Sequence, residues 1–222
     1  MCGRYTTEIE TDERELFRML ARADENLRTQ AQPLSVPHQR QSAPPDAPIA
    51  AVSGREVFPS ELAAVLAAGG GGETDAFFFR WGFPAQIGGR QRLLINARAE
   101  GAAEKPMFAP HLRQRRCVIP TAGFFEWAHV GGRADPARKY RFNLPGTRIL
   151  YLAGLYRPSQ SAPGGWEFVI LTRAANDSMQ PIHDRMPVIL RTEHVEEYLC
   201  SPASAGMLLA ETPPVLIKKL VS

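Results

Sequence analysis

The feature that most constrains this chain is a series of short apolar runs with no long helices placed regularly between them. The runs are residues 77–81 (Phe-Phe-Phe-Arg-Trp), 93–95, 117–119, 149–153, 166–171 and 188–190. Runs of this length and composition read as strands. A doubly wound parallel sheet needs strand and helix in alternation, so the pattern argues instead for mixed α and β structure. Helical signals are few. Asp12 followed by Glu15 reads as a helix start, with Leu16, Leu20 and Ala23 on one face. Ser60 reads as the cap of a short helix through residues 61–66, and Thr192 as the cap of another over 193–199. Residues 28–48, rich in Gln, Pro and Ser, read as a loop, and residues 129–138 as a hairpin loop. The glycines at 69–72 read as a flexible surface connection. A length of 222 residues with 44% hydrophobic content fits one domain, residues 1–222, with a flexible insertion around 53–76.

Several function classes are argued against. There is no run of about 18 apolar residues, so no transmembrane helix is predicted. Glu8, Glu10, Asp12 and Glu13 come too early for a secretory signal. The 3 cysteines, Cys2, Cys117 and Cys200, have neither disulfide nor zinc spacing, and a reduced cytosolic compartment is the expectation. The sequence carries no phosphate-loop motif and no metal-ligand cluster, so neither cofactor nor metal is predicted. A net charge of +3 and a pI near 8.9 permit an anionic partner without requiring one.

Cys2 follows the initiator methionine. If Met1 is removed, Cys2 presents a thiol and an α-amine on adjacent carbons, and the amine pKa of about 7.7–8.0 leaves a large neutral fraction near neutral pH. Such a pair condenses with an aldehyde to an imine, which the thiol closes into a five-membered thiazolidine. By itself a single residue carries little specificity, and the plainer reading is that position 2 is whatever follows the start codon.

Polar clusters interrupt the apolar runs: Asn96-Ala97-Arg98-Ala99-Glu100, Pro120-Thr121-Ala122-Gly123-Phe124-Phe125-Glu126-Trp127 and Pro181-Ile182-His183-Asp184-Arg185-Met186-Pro187. Each sits where a buried strand is expected to end, the usual place for a site. Each also has a purely structural reading. Asn96 and Arg98 could be a strand terminus with a surface charge. Glu126 could be the solvent-facing member of an edge strand, and His183 with Arg185 an ordinary turn before a proline. Together they offer Asn, Arg, Glu and His, an acid/base set beside groups able to bind phosphate.

The blocks Met1-Cys2-Gly3-Arg4-Tyr5, Ile95-Asn96-Ala97-Arg98-Ala99-Glu100, Arg115-Arg116-Cys117-Val118-Ile119-Pro120-Thr121-Ala122-Gly123-Phe124-Phe125-Glu126-Trp127 and His183-Asp184-Arg185-Met186-Pro187-Val188-Ile189-Leu190 resemble the SOS-response-associated peptidase (SRAP) family, the abasic-site processing proteins. They stand in the family's order across nearly the whole chain. Trp81-Gly82, Ala153-Gly154-Leu155 and Thr172-Arg173-Ala174-Ala175-Asn176 add to the match. The resemblance implies an α+β fold, a single compact domain whose curved, barrel-like, mainly antiparallel sheet is flanked by short helices. It implies a monomer, away from membranes, that binds single-stranded DNA containing abasic sites, including DNA at replication forks. In a bacterium it implies cytoplasmic location with nucleoid association. The activity implied is self-crosslinking to the open-chain aldehyde of the abasic sugar, with lyase and autopeptidase activity as further possibilities.

Residue by residue, the resemblance makes Cys2 the nucleophile and Glu126 the acid/base that opens the sugar ring. It places His183 to move protons and Asn96 to orient the sugar or the Cys2 amine. Arg4, Arg98 and Arg185 match positions that grip phosphates. Cys117 reads as core, and Cys200 as an inert helix-end residue. Two departures stand out. Gln41-Ser42-Ala43-Pro44 replaces an Asn-Val-Ala-Pro-like segment, and residues 83–90 lack the family's tryptophans, leaving Ile87 as a candidate apolar wedge with Arg90 and Arg92 beside it. Alternatives from other classes are a processing peptidase that uses Cys2 and a non-catalytic single-stranded DNA-binding module.

Overall fold

The computed structural model describes residues 2–7, 14–29, 33, 55–128 and 137–221. The expected helix start at Asp12, the segment 41–44 and the loop at 129–136 lie outside the described residues. Strand β1 (Tyr5–Thr6) and helix α1 (Arg14–Thr29) come first. Then follow β2 (Glu56–Val57), β3 (Leu62–Ala68), β4 (Thr74–Trp81), β5 (Phe83–Ile87), β6 (Arg90–Leu94) and β7 (Asn96–Arg98). A 3-10 turn at Ala99–Gly101 and helix α2 (Ala109–Gln114) lead to β8 (Arg116–Thr121), β9 (Gly123–Ala128), β10 (Arg138–Asn143), β11 (Leu150–Pro158) and β12 (Trp166–Ala174). Short strands β13 (Arg185–Pro187) and β14 (Ile189–Leu190) precede α3 (Val195–Cys200), α4 (Pro202–Ala210) and β15 (Ile217–Val221).

The larger sheet closes on itself. β12 pairs with β4, β4 with β3, β3 with β8, β8 with β11, and β11 returns to β12. Every pairing in this ring is antiparallel except β12–β4. Side chains alternate across a strand with period two, so each strand feeds two cores. Ala63, Val65, Phe77, Phe79, Trp81, Ile119, Leu152, Phe168 and Ile170 fill one cluster, inside the ring. Ala64, Leu66, Phe78, Val118, Ala153, Val169 and Leu171 belong to the other, shared with Ala23 of α1, Val195 and Tyr198 of α3 and Leu208 of α4. Strands buried on both faces read as continuous apolar runs rather than alternating ones, which is why these segments stand out in the sequence. Gly154 marks a close approach within the ring: a Cβ there would lie 2.7 Å from Ile119 Cδ1 and 2.9 Å from the Val169 carbonyl.

Residues 61–66, expected as a helix capped by Ser60, are instead the body of β3. Ala and Leu favour a helix locally, but β3 lies between β4 and β8, and its small side chains let both faces close. Ser60 sits at φ +74° in a turn and donates its backbone N–H to the Trp81 carbonyl. The segment around 53–76, expected as an insertion, thus carries β2, β3 and the start of β4. The glycines at 69–72 form the turn of the β3–β4 hairpin, where Ala68 opposes Thr74. The expected helix at 193–199 begins as a 3-10 turn, Thr192–His194, whose cap position is Arg191, without a side-chain capping bond.

The smaller sheet has the order β15-β10-β9-β1-β2. Its inward residues Tyr5, Val57, Phe124 and Phe142 join the cluster inside the ring. β5 and β6 form a separate two-stranded hairpin. Gly88 and Gly89 turn it with φ of +58° and +75°, the left-handed values a tight two-residue turn requires.

Candidate active site

Cys2, Gly3 and Arg4 lead into β1, which is held between β9 (Tyr5 opposite Phe124) and β2 (Tyr5 opposite Val57). Cys2 has no exposed surface and belongs to the core cluster inside the ring. Its Sγ–H donates to the Arg4 carbonyl at 3.7 Å. Burial first, and then the charge of Glu126, push the Cys2 thiol well up, so the sulfur is held as a neutral thiol. Glu126 is 4% exposed. β9 has β1 on one side and β10 on the other, so Glu126 is not the solvent-facing member of an edge strand.

Asn96 reaches the same place from a distant part of the chain. Its Nδ2 donates to the main-chain carbonyl of Cys2 at 3.0 Å. Its Oδ1 is buried and has no hydrogen-bond partner among the described residues. The Trp81-Gly82 pair positions it. The Trp81 indole N–H donates to the Ile95 carbonyl at 2.9 Å, and its ring stacks on Phe168 and tilts against Tyr5, with centroids 6.2 and 5.1 Å away. Gly82, at φ +116°, turns the chain where a Cβ would meet Leu93 at 2.7 Å. Ile95 also accepts from the Ile170 N–H at 3.1 Å, and Asn96 lies opposite Ile170 in the parallel β7–β12 pair.

His183 is half-buried in the turn before β13. Its Nδ1 lies 2.9 Å from the Arg185 backbone nitrogen and 2.9 Å from Asp184 Oδ1. One ring nitrogen cannot accept from an N–H and donate to a carboxylate at once. The Asp184 side chain is 87% exposed and solvated, so the backbone bond decides, and neutral His183 carries its proton on Nε2.

The arginines differ. Arg98 projects from β7 with an exposed side chain. Arg4 donates to Glu56 Oε2 at 3.1 Å, and its guanidinium lies 4.2 Å from the Phe58 ring centroid and 4.8 Å from that of Trp127. Lys139 pairs with the other oxygen of Glu56 and faces the ring of Phe125. Arg185 forks onto Glu100, Nη1 to Oε1 at 2.7 Å and Nη2 to Oε2 at 2.8 Å, and also donates to the Thr172 carbonyl. That fork holds the Glu100 carboxyl down at about 2. The hairpin residues Ile87 and Leu93 are exposed, at 48% and 40%, and Pro84, Ala85, Gln86, Gln91, Arg92 and Leu93 line a hollow of about 390 Å³. Cys117 is buried core and Cys200 is exposed at the end of α3.

The polar clusters and the N-terminus are thus linked, by hydrogen bonds and by charge. Asn96 bonds to Cys2, Glu126 acts on the Cys2 thiol, and Glu100 ties the first cluster to Arg185 in the third. Sequence reasoning gave no role to Glu56, Glu100 or Lys139. Glu100 closes the quoted Asn96–Glu100 block, and that position was its only signal. Glu56 and Lys139 had none, because cross-strand ion pairs have no spacing in the sequence. Chemically, the site offers a buried thiol, a buried carboxylate beside it and an amide acceptor with an open position. The loop that leads to Arg185 presents the half-buried imidazole of His183.

Comparison with known proteins agrees with this fold. A protein from Bacteroides thetaiotaomicron, solved by crystallography, superposes with a TM-score of 0.66 at 19% identity, covering 100% of this chain and 92% of that one. The abasic site processing protein YoqW of Bacillus subtilis is 41% identical over 110 residues, 48% of this chain and 47% of YoqW. The abasic site processing protein YobE of the same organism is 38% identical over 127 residues, 54% of this chain and 56% of YobE. The chain spans about half the length of the curated relatives it matches. The SOS response associated peptidase (SRAP) family model matches residues 1–215, so this chain, with its buried Cys2 tied to Asn96 and set against Glu126, belongs to the SRAP family.

Proposed function

We propose that this protein processes abasic sites: it binds single-stranded DNA and captures the lesion as a thiazolidine on Cys2. The observation that carries the reading is the meeting of Asn96 and Glu126 at Cys2, a residue that the plain reading of position 2 leaves without purpose. The relatives named for abasic site processing support it.

The chemistry follows from the groups present. In the chain as written, the Cys2 nitrogen is an amide to Met1, so removal of Met1 is the first requirement. The abasic sugar is mostly a closed hemiacetal, and opening it moves a proton between its ring oxygen and its C1′ hydroxyl, work suited to the Glu126 carboxyl. The freed α-amine attacks C1′, and loss of water gives an imine. A neutral buried thiol is a poor first nucleophile, which favours attack by the amine before the sulfur. The thiol then adds to the imine carbon; the S–C bond forms as the C=N π bond breaks, and the thiol proton ends on the ring nitrogen. The open Oδ1 of Asn96 is available to accept from the Cys2 ammonium or a sugar hydroxyl. His183 Nε2–H is the group for proton transfer on the loop side. Arg98, Arg4 and Arg185 supply phosphate contacts, and the Ile87 hairpin an apolar surface for bases.

The test is an abasic single-stranded oligonucleotide mixed with protein shown by mass spectrometry to lack Met1. A shifted band that survives denaturant is the expected result. Cys2→Ser and a preparation retaining Met1 should both lose it. Full crosslinking by protein that retains Met1 would overturn the thiazolidine. A native shift with no covalent band would leave only a binding module, and purified protein that sheds its own Met1 yet gives neither a covalent band nor a native shift would leave only a processing peptidase.

A further inference from the structure

We propose that Glu100 is an internal stand-in for a DNA phosphate: it holds the Arg185 guanidinium in an anion-binding pose, and an incoming phosphodiester takes its place. The inference rests on the reading that Arg185 contacts DNA. The geometry supporting it is specific. Glu100 grips Arg185 with both carboxylate oxygens, the two-point arrangement by which guanidinium binds carboxylate and phosphate alike. Arg185 is otherwise anchored from behind. Nη2 also donates to the Thr172 carbonyl at 2.7 Å, and Nε is buried with no partner among the described residues. The fork facing outward is therefore the one Glu100 occupies. The two partners differ in burial: the Arg185 side chain is 15% exposed and the Glu100 side chain 54%. The cation is fixed in the wall of the fold, and the anion is the member free to swing into water. Glu100 also accepts from the Ala174 N–H at 3.2 Å, a bond water can replace.

A phosphate and a carboxylate cannot share one fork without like-charge repulsion, so DNA binding at Arg185 must release Glu100. Arg4 is engaged differently: Glu56 meets it at one point and is shared with Lys139. Glu100 thus acts through Arg185 as a positioning residue. It keeps the guanidinium ordered in the free protein and lowers DNA affinity by competing for it.

The experiment measures binding of an intact oligothymidylate to wild type, Glu100→Gln, Arg185→Ala and the double variant. Glu100→Gln should bind about two- to fivefold tighter, the size expected for an exposed ion pair removed as a competitor. Its slope of log affinity on log salt should be more negative by up to roughly 0.7, because no released carboxylate recaptures a cation. The gain should vanish in the Arg185→Ala background. Equal or weaker binding by Glu100→Gln, or a gain that persists without Arg185, overturns the inference and leaves the DNA reading intact. A second arm titrates inorganic phosphate while following the Arg185 guanidinium NMR signals. Phosphate should shift them at lower concentration in Glu100→Gln than in wild type, and unmoved signals in Glu100→Gln overturn the inference. If phosphate competes with Glu100 but oligothymidylate does not bind, the DNA reading fails and the inference falls with it, leaving Glu100 only as a competitor for free phosphate.

Discussion

Asn96 and Cys2 lie 94 residues apart in the chain, and the side-chain amide of Asn96 donates to the Cys2 carbonyl at 3.0 Å. The bond fixes the peptide plane that follows Cys2, and so the direction in which its nitrogen and thiol point. Asn96→Ala should slow crosslinking while retaining the fold, at about 0.5–1.5 kcal/mol of stability. Asn96→Asp should be slower still, because a carboxylate would face a carbonyl oxygen. Single-turnover crosslinking beside a thermal melt checks this, and an Asn96→Asp rate equal to wild type would remove Asn96 from the site.

Glu126 raises the Cys2 thiol, second only to burial. In a Cys200→Ser background, which removes the exposed cysteine, Glu126→Gln should therefore be alkylated faster than its parent near pH 8. The same variant should crosslink abasic DNA more slowly, by about 10²–10⁴-fold for loss of a proton-transfer group. The deficit should shrink on a substrate that already presents an open-chain aldehyde. Unchanged alkylation would disprove the electrostatic link, and an equal deficit on both substrates would remove Glu126 from ring opening.

Arg98 is exposed on β7, two residues from Asn96. Arg98→Ala should weaken intact and abasic single-stranded DNA alike, since a phosphate contact does not read the lesion. The salt slope should fall in magnitude by roughly 0.7. Loss confined to abasic DNA would assign Arg98 to the sugar instead.

His111 packs its edge on Phe83 at the base of the β5–β6 hairpin, and burial first, then Arg115 and Arg157, hold it down at about 4. Below its ordinary value of 6.5 the unfolded chain takes up a proton that the folded protein refuses. Its contribution to stability is therefore complete above pH 6.5 and is lost as pH falls toward 4. His111→Gln should flatten the melting temperature against pH in that window. A profile as steep as wild type would mean other groups govern the acid limb.

Gly154→Ala should destabilise by about 1–3 kcal/mol, because the added methyl meets Ile119 and the Val169 carbonyl within the closed ring. Chemical denaturation measures it. A neutral substitution would show that β8 and β12 can separate at this point.

The apolar runs that became β4, β8, β11 and β12 were legible because strands buried on both faces have no polar alternation to blur them. The motif blocks that contain Cys2, Asn96, Glu126 and His183 were legible as family blocks because several short motifs in one order are far more specific than any one of them. β3 was not legible: Leu62-Ala63-Ala64-Val65-Leu66 favours a helix locally, and only pairing with β4 and β8 makes it a strand. Nor could the sequence say that Arg98 stands exposed while Arg185 is forked by Glu100 and Arg4 sits between Phe58 and Trp127. The sequence by itself determined the fold class and the family, because those depend on local composition and on motif blocks that stand in a fixed order. The tertiary structure alone decided that the ring closes through β11 and β12, that the Cys2 thiol is buried where it feels the charge of Glu126, and which anions Arg4 and Arg185 meet. Those depend on distances between residues far apart in the chain, which burial and pairing set together and no local pattern records.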